Sequence, residues 1–112
     1  MSRNNRQTYP RVVSPSMKRK LRARVCRICG SQGSITAHHL VPVKAGRQDV
    51  PQNLIPLCQT CHTRIDGPKT FERDVMRRTL RGLLLADEIE YARRRMGKEW
   101  LNYHYPLAQE FA

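Results

Sequence analysis

Residues 26–30 read Cys-Arg-Ile-Cys-Gly and residues 58–61 read Cys-Gln-Thr-Cys, and together they hold all four cysteines of the chain. Two thiolates separated by two residues suit the tetrahedral, sulfur-rich coordination of structural zinc, and a glycine suits the tight turn that follows. Four unmetallated buried thiols are the alternative, but they would leave the repeated spacing unexplained. We therefore predict a structural zinc site built by Cys26, Cys29, Cys58 and Cys61. A closed site of this kind has no open coordination position, so its zinc would stabilise the fold without taking part in catalysis.

The length of the chain explains why a metal would be needed. Its 112 residues, of which 39% are hydrophobic and only seven aromatic, leave room for one compact domain with a small core. Burial alone gives such a domain little margin over its conformational entropy. We expect residues 1–15 to form a flexible basic arm, because they carry no periodic apolar face, and residues 16–112 to form a single domain.

The charge of the chain points to its partner. Twenty-one lysines and arginines against nine acids give a formal charge of +12, which attracts a polyanion and predicts nucleic acid. The longest apolar run, residues 83–86, is far shorter than the roughly 20 residues of a membrane span, and the first residues lack the apolar stretch of a secretory signal. We therefore expect no membrane-spanning helix and a reducing, cytoplasmic location, in which paired cysteines bind metal rather than form disulfides.

Local patterns predict short strands followed by helices, which is an α+β organisation. Branched and aliphatic residues predict strands at 34–37 and 54–57, and prolines and a glycine predict an irregular loop over 42–51. Helices are expected from Ser16 to Val25, over 58–65, from Pro68 to Gly82, and from an Asp87 cap through Met96. In the third of these, Phe71, Val75 and Leu80 are expected to form the buried stripe. Residues 97–112 are expected to fold back onto the domain.

The insert between the two cysteine pairs contains a histidine pair. Residues 37–42 read Ala-His-His-Leu-Val-Pro, and residues 53–62 read Asn-Leu-Ile-Pro-Leu-Cys-Gln-Thr-Cys-His. This order, over about residues 26–65, resembles the HNH endonuclease family with its ββα-metal active site. The resemblance implies a small zinc-stapled α+β domain with a core motif over 26–65, flanked by helices and followed by a helical extension over 68–112.

The resemblance also implies roles for individual residues. His39 matches the first catalytic histidine, which acts as general base on the attacking water, and a neutral imidazole suits that task. His38 stands where many members have aspartate and would bind the catalytic metal together with His62, the last histidine of the motif. Asn53 matches the central asparagine and is expected to orient the loop and the base, although in some members this residue contributes to the metal site. Asp66, one helical turn after His62, is an uncertain further ligand.

Three points about the histidines stay open at this stage. His38 and His39 are neighbours on a predicted strand, so their side chains point to opposite faces, and we predict a bulge or a strand end there. Taken alone, His62 could instead replace a cysteine in the zinc site. His104 lies outside the motif and is expected to be a surface histidine.

The implied mechanism is phosphodiester hydrolysis with one catalytic divalent metal. Two imidazoles without a carboxylate suit Ni²⁺, Zn²⁺, Co²⁺ or Mn²⁺ better than Mg²⁺. Arg64 is our first candidate to hold the scissile phosphate and Arg47 the second, although a solvated arginine is the default interpretation for both. The basic segments Lys18–Arg27 and Arg73–Arg81 are expected to contact the DNA backbone. One active site in a monomer or weak dimer would nick a duplex before it linearises it.

Two other functions are compatible with the sequence. A zinc module that binds nucleic acid without cutting would explain the charge and the cysteines but would leave the histidine motif as coincidence. An assembly protein could instead dock a larger machine through its C-terminal part, with the apolar residues Leu83 to Leu85, Ile89, Tyr91 and Trp100. HNH proteins of this small, basic kind resemble those of bacteriophages. Some of the bacteriophage proteins act beside a DNA-packaging motor, and for this chain such a partner rests on analogy alone.

Overall fold

A two-stranded antiparallel sheet holds the motif residues. The computed structural model describes residues 11–107, so residues 1–10 and 108–112 lie outside the described part. Strand β1 spans Ile35–His39 and strand β2 spans Leu54–Cys58. Their register pairs Ile35 with Cys58 and His39 with Leu54 without interruption. The two strands lie where the sequence predicts them, and the first extends two residues further.

Five helices flank this sheet within residues 11–107. They are α1 Pro15–Arg22, α2 Gln59–Ile65, α3 Thr70–Arg81, α4 Ala86–Met96 and α5 Lys98–His104. Ser14 caps α1 by accepting a hydrogen bond from the Met17 N–H, and Pro15 occupies the first turn, where it costs no helical hydrogen bond. The order β1, β2, α2 is the ββα arrangement, so the α+β fold and the flanking helices are confirmed.

The core lies between the sheet and the helices. Its most deeply buried aliphatic side chains come from the strands, from the chain next to them and from three of the helices: Leu40, Val41, Ile55, Leu57, Ile65, Leu80 and Leu101. Leu101 and Tyr105 belong to the part of the chain after residue 97 that was expected to fold back, and both are buried. That expectation is therefore confirmed as far as residue 107.

Of the stripe predicted for helix α3, Leu80 is confirmed, whereas Phe71 and Val75 are not. Met76 and Leu80 are buried, whereas Phe71 and Val75 are 82% and 44% exposed. Both pairs are spaced four residues apart and lie on one helical face each, so periodicity alone does not choose between them. The elements that pack against α3 decide which face is buried, since Met76 and Leu80 join the core cluster that also contains Ile65 and Leu101.

Helix α4 begins one residue before the predicted cap. Leu85 is its N-cap residue, and Glu88 accepts a hydrogen bond from the Leu85 N–H at 2.7 Å. Glu88 also forms a bidentate ion pair with Arg27, at 2.8 and 3.0 Å. Asp87 therefore is not the cap, and Arg27 is engaged inside the protein rather than presented to DNA.

Residues 12–15, which were expected to belong to a flexible arm, are engaged in the described structure. Val12 pairs in parallel with Gln48, and α1 begins at Pro15 and ends at Arg22 rather than Val25. Residues 1–10 of the predicted arm lie outside the described residues. No helix among residues 11–107 is both long and apolar enough to cross a membrane.

Candidate functional site

The four cysteines converge on one point beside the sheet. Their sulfur atoms all lie within 4.8 Å of one another, and the Cys29 and Cys58 Sγ atoms are 3.7 Å apart. Two thiolates bound at about 2.3 Å in tetrahedral geometry would be about 3.8 Å apart. The donor set and its spacing therefore fit zinc, and His62 is not part of this cluster.

Each cysteine pair is supported by its own backbone. The Cys29 N–H points at the Cys26 sulfur at 3.5 Å, and the Cys61 N–H points at the Cys58 sulfur at 3.4 Å. Gly30 adopts φ +79°, which closes the first turn and is accessible to glycine at little cost. Burial would raise the pKa of the Cys26 thiol, but hydrogen bonds from neighbouring backbone N–H groups outweigh it and lower that pKa to about 6. A thiolate is thus favoured at Cys26, whereas burial and the neighbouring thiols raise the pKa of Cys61.

A second cluster brings together His38, His62 and Asp66, whose ligand atoms also lie within 4.8 Å of one another. The Asp66 Oδ2 atom is 3.4 Å from both His38 Nδ1 and His62 Nε2. Ligand atoms held tetrahedrally at about 2.1 Å from a metal are about 3.4 Å apart. The three residues therefore fit one divalent metal ion. Asp66, which the sequence offered as a further ligand, lies with the two histidines.

The local fold explains this convergence. His62 and Asp66 are four residues apart at the end of α2, so their side chains lie on one face. The helix ends at Ile65 with Asp66 as its C-cap residue, and glycine is required at position 67 because a Cβ there would lie 2.8 Å from the Thr63 carbonyl oxygen. His38 reaches the same place from β1.

Each of the two histidines has a hydrogen bond on its other ring nitrogen. His62 Nδ1 lies 2.7 Å from Thr36 Oγ1, and His38 Nε2 lies 2.7 Å from the Tyr105 hydroxyl. Partners of this kind orient a ligating imidazole and select its tautomer. Tyr105 comes from the chain after α5, so the C-terminal extension supports the cluster directly.

The ionisation of the cluster follows from its neighbours. Burial lowers the pKa of His38, which keeps the imidazole neutral. Burial would raise the pKa of Asp66, but its close contacts with His38 and His62 outweigh it and hold that pKa far below its usual range. A neutral imidazole beside a carboxylate is the state in which both can bind a metal.

His39 points to the other side of the strand, as the alternation of side chains requires. Its Nε2 atom lies 2.8 Å from Asp49 Oδ1. The register shows no bulge, and β1 ends at His39, so the strand end is the alternative that occurs. Both histidines nevertheless border the same cavity of about 520 Å³, together with His62 and Asp66.

Asp49 is a functional candidate that the sequence did not single out beyond its place in the loop. The carboxylate is almost fully buried and accepts hydrogen bonds from Arg47, from His39 and from the Ser14 N–H. Burial would raise its pKa, but these bonds outweigh it and lower the pKa well below its usual range. An ionised Asp49 accepts the Nε2–H of His39 and leaves the Nδ1 lone pair as the proton acceptor.

Asn53 is fully buried and binds the loop between the strands. Its Oδ1 accepts from the Val41 N–H at 2.7 Å, and its Nδ2 donates to the carbonyl oxygens of Val41 and Gln48. These three bonds use most of the hydrogen-bonding capacity of the amide. Asn53 is not part of the candidate metal cluster, which consists of His38, His62 and Asp66 and is called the metal cluster below.

The arginine at the cavity wall is Arg77, not Arg64 or Arg47. Arg64 pairs with Glu72 at 2.9 Å, and Arg47 pairs with Asp49 at 3.0 Å. Arg77 borders the cavity, donates to Asp66 Oδ1 at 3.2 Å, and lies over the Tyr105 ring. The sequence placed Arg77 only on a general basic face, because α3 lies outside the motif.

His104 also borders the cavity and is half-buried, and its ring lies 4.7 Å from the Trp100 ring at an interplanar angle of 41°. It is therefore not the surface histidine that the sequence suggested. Its position beside the cluster depends on α5 and could not be read from the motif.

Comparison with known families agrees with this geometry. Residues 26–66 match the family model described as HNH endonuclease, and the resemblance seen in the sequence is thereby confirmed. The match ends at Asp66, the last residue of the metal cluster. Neither curated proteins nor solved structures gave a significant match to the chain.

Proposed function

We propose that the HNH segment is the catalytic part of a metal-dependent endonuclease that hydrolyses phosphodiester bonds in DNA. In this proposal His39 is the general base, and His38, His62 and Asp66 hold one divalent metal. One observation carries the proposal: three residues with metal-ligand spacing and the base border a single cavity. The net charge of +12 supports DNA as the substrate.

The residues around the cavity divide the chemistry between them. His39, oriented by Asp49, takes a proton from the attacking water at Nδ1. The bound metal would offset negative charge that develops on the phosphate and the leaving oxygen. Arg77 donates to a phosphate oxygen from the cavity wall, and Asn53 keeps the loop that carries Asp49 in place.

The carboxylate changes the expected metal preference. Two imidazoles alone favour softer ions over Mg²⁺, but Asp66 adds a hard oxygen ligand. The candidate catalytic ions are therefore Mg²⁺, Mn²⁺, Co²⁺, Ni²⁺ and Zn²⁺, with a separate Zn²⁺ in the four-cysteine site.

A supercoiled-plasmid assay tests the proposal. The protein is treated with chelator under conditions that leave the four-cysteine zinc in place, and each ion is then added separately. We expect nicked circles with at least one ion, loss of nicking in His39→Ala and in Asp66→Asn, and full activity in Glu90→Gln, which alters only the exposed ion pairs of Glu90 with Arg93 and Arg94 on α4.

The main alternative is a zinc module that binds nucleic acid without cutting it. Folded protein that binds DNA but cuts neither plasmid nor single-stranded DNA with any of the five ions would establish that function instead. The assembly role has less support, because Ile89, Tyr91 and Trp100, offered for docking, pack against the core, while only Leu83 and Leu85 of that set are exposed.

A further inference from the structure

A groove of about 710 Å³ lies between α3 and α5 and adjoins the cavity of the metal cluster. Asp66, Arg77 and His104 line both spaces. The groove therefore lies directly beside the metal cluster, where the nucleotides next to a bound phosphate would be placed.

The floor of the groove on the α3 side carries arginines. Arg73, Arg77 and Arg78 line it. Arg77 pairs with Asp66 and Arg78 with Asp74, whereas Arg73 donates only to the Gly67 carbonyl oxygen and makes no ion pair within residues 11–107. A metal bound to Asp66 would weaken the ion pair between Asp66 and Arg77, so the charge of Arg77 would also be available to a ligand. The groove thus suits a chain of phosphates.

The α5 side of the groove carries His104 and Tyr103, the last two of a series of aromatic rings that begins in the cavity of the metal cluster. The Tyr105 hydroxyl contacts His38, and the rings of Tyr105, Trp100, His104 and Tyr103 follow at centroid distances of 6.4, 4.7 and 5.0 Å. Tyr103 is 79% exposed and lines the groove. Its ring meets His104 edge to face at 85°, so it is not stacked on that neighbour.

A binding site for single-stranded DNA combines arginines that bind the phosphates with exposed aromatic rings, and this groove has both. Its backbone follows the positive side, and its bases stack on the rings. A base inside a duplex is already paired and stacked, so it reaches such a ring only after it has left the helix. The same groove therefore disfavours an intact duplex next to the metal cluster.

From this arrangement we propose that the α3/α5 groove binds an unpaired DNA strand beside the scissile phosphate, with one base stacked on Tyr103. The proposal deepens the nuclease function above and rests on it. It gives the domain a preference for single-stranded DNA over duplex of the same sequence.

Binding measurements separate this proposal from the nuclease function, because they need no cleavage. Zinc-loaded full-length protein, without any other added divalent ion, is titrated into labelled single-stranded DNA, the matching duplex and RNA of the same sequence. Tyr103→Ala, Tyr103→Phe and Phe71→Ala are compared with the unaltered chain. Phe71 is the matched control, since it is 82% exposed on α3 but lines neither space.

We expect the unaltered protein to bind the single DNA strand more tightly than the duplex. Tyr103→Ala should weaken single-strand binding by about 5- to 100-fold and change duplex binding less than about twofold. Tyr103→Phe should keep the affinity, because it keeps the ring, and Phe71→Ala should have no effect. Equal losses on both DNA forms, no loss in Tyr103→Ala, or tighter binding of duplex or RNA would overturn the proposal, whether or not the protein cuts DNA.

Discussion

The tautomer of His62 is determined by a single hydroxyl. Thr36 Oγ1 donates its hydrogen to the Leu57 carbonyl oxygen at 2.8 Å. Since a hydroxyl has one hydrogen, the same oxygen must accept from His62 Nδ1, which therefore carries the proton. The Nε2 lone pair is left to face Asp66 and a metal. Thr36 and His38 are two residues apart on β1, so alternation places both side chains on the face that meets α2.

Replacing Thr36 with valine tests this role. The shape of the side chain is kept, but His62 loses the acceptor that fixes its tautomer. We expect affinity for the catalytic metal to fall about 10- to 100-fold, measured by direct titration of Mn²⁺ or Co²⁺ into protein that retains its zinc. Thr79→Val is the control, because the Thr79 hydroxyl bonds only the Val75 carbonyl oxygen on the outside of α3. Unchanged metal affinity in Thr36→Val would contradict the assignment.

Asp49 acts on the base rather than on the metal. In Asp49→Asn, the amide no longer enforces the proton on His39 Nε2, so Nδ1 loses its lone pair in part of the molecules. We expect the cleavage rate to fall about 100-fold or more while metal affinity stays within about twofold, since Asp49 lies outside the metal cluster. Asp87→Asn, an exposed change on α4, should leave both unchanged. A parallel loss of metal affinity in Asp49→Asn would mean that the residue holds the whole site together.

The same carboxylate should make stability depend on pH. The pKa of Asp49 is lowered on folding, so its contribution is present above the unfolded-state pKa of about 3.9 and is lost as the pH falls towards the folded-state value. Chemical unfolding between pH 6 and pH 3 should therefore show the difference between the unaltered chain and Asp49→Asn shrinking as the pH falls. A difference that stays constant over this range would show that the ionisation of Asp49 does not stabilise the fold.

At the level of elements, the buried face of α3 gives a direct test of the packing. Leu80→Ala removes a fully buried side chain and should cost about 2–5 kcal/mol of unfolding free energy. Phe71→Ala removes a side chain that is 82% exposed and should change stability by no more than about 0.5 kcal/mol. Urea unfolding of both variants distinguishes the observed face from the one that periodicity suggested, for which the two effects would be comparable.

The elements that sequence predicts well are those whose signals are local. The cysteine pairs, both strands and the short helix after Cys58 each follow from a few adjacent residues. The α3 face was partly wrong because two stripes of equal spacing compete and a distant partner decides between them. Arg77, His104 and Tyr105 were missed as site residues for a related reason: His38 and Tyr105 are 67 positions apart, and no pattern within the motif indicates which residue of a later helix will return to it.

On the scale of the whole molecule, unneutralised charge is concentrated on α1. Residues Lys18, Arg19, Lys20 and Arg22 make no ion pair within the described part of the chain, whereas Arg93 and Arg94 on α4 both pair with Glu90. Helix α1 also lies close to the base, because its capping residue Ser14 donates its N–H to Asp49. We therefore expect α1 to contact the backbone of a DNA strand that reaches the cavity. This agrees with the α1 part of the basic segment that the sequence predicts to bind DNA.

This distribution predicts how binding responds to salt. Each phosphate that the protein neutralises releases counterions, so log K should fall linearly with log salt concentration, with a slope of about −0.7 per phosphate on single strands and about −0.9 on duplex. Replacing Arg19 and Arg22 with glutamine should make the slope shallower by about that amount for each phosphate that is no longer neutralised. Replacing Arg93 and Arg94 with glutamine should change the slope less, because Glu90 neutralises one of their two charges. A slope near zero in the unaltered protein would contradict binding through the phosphate backbone. An effect of the α4 pair as large as that of the α1 pair would contradict the assignment of these contacts to α1.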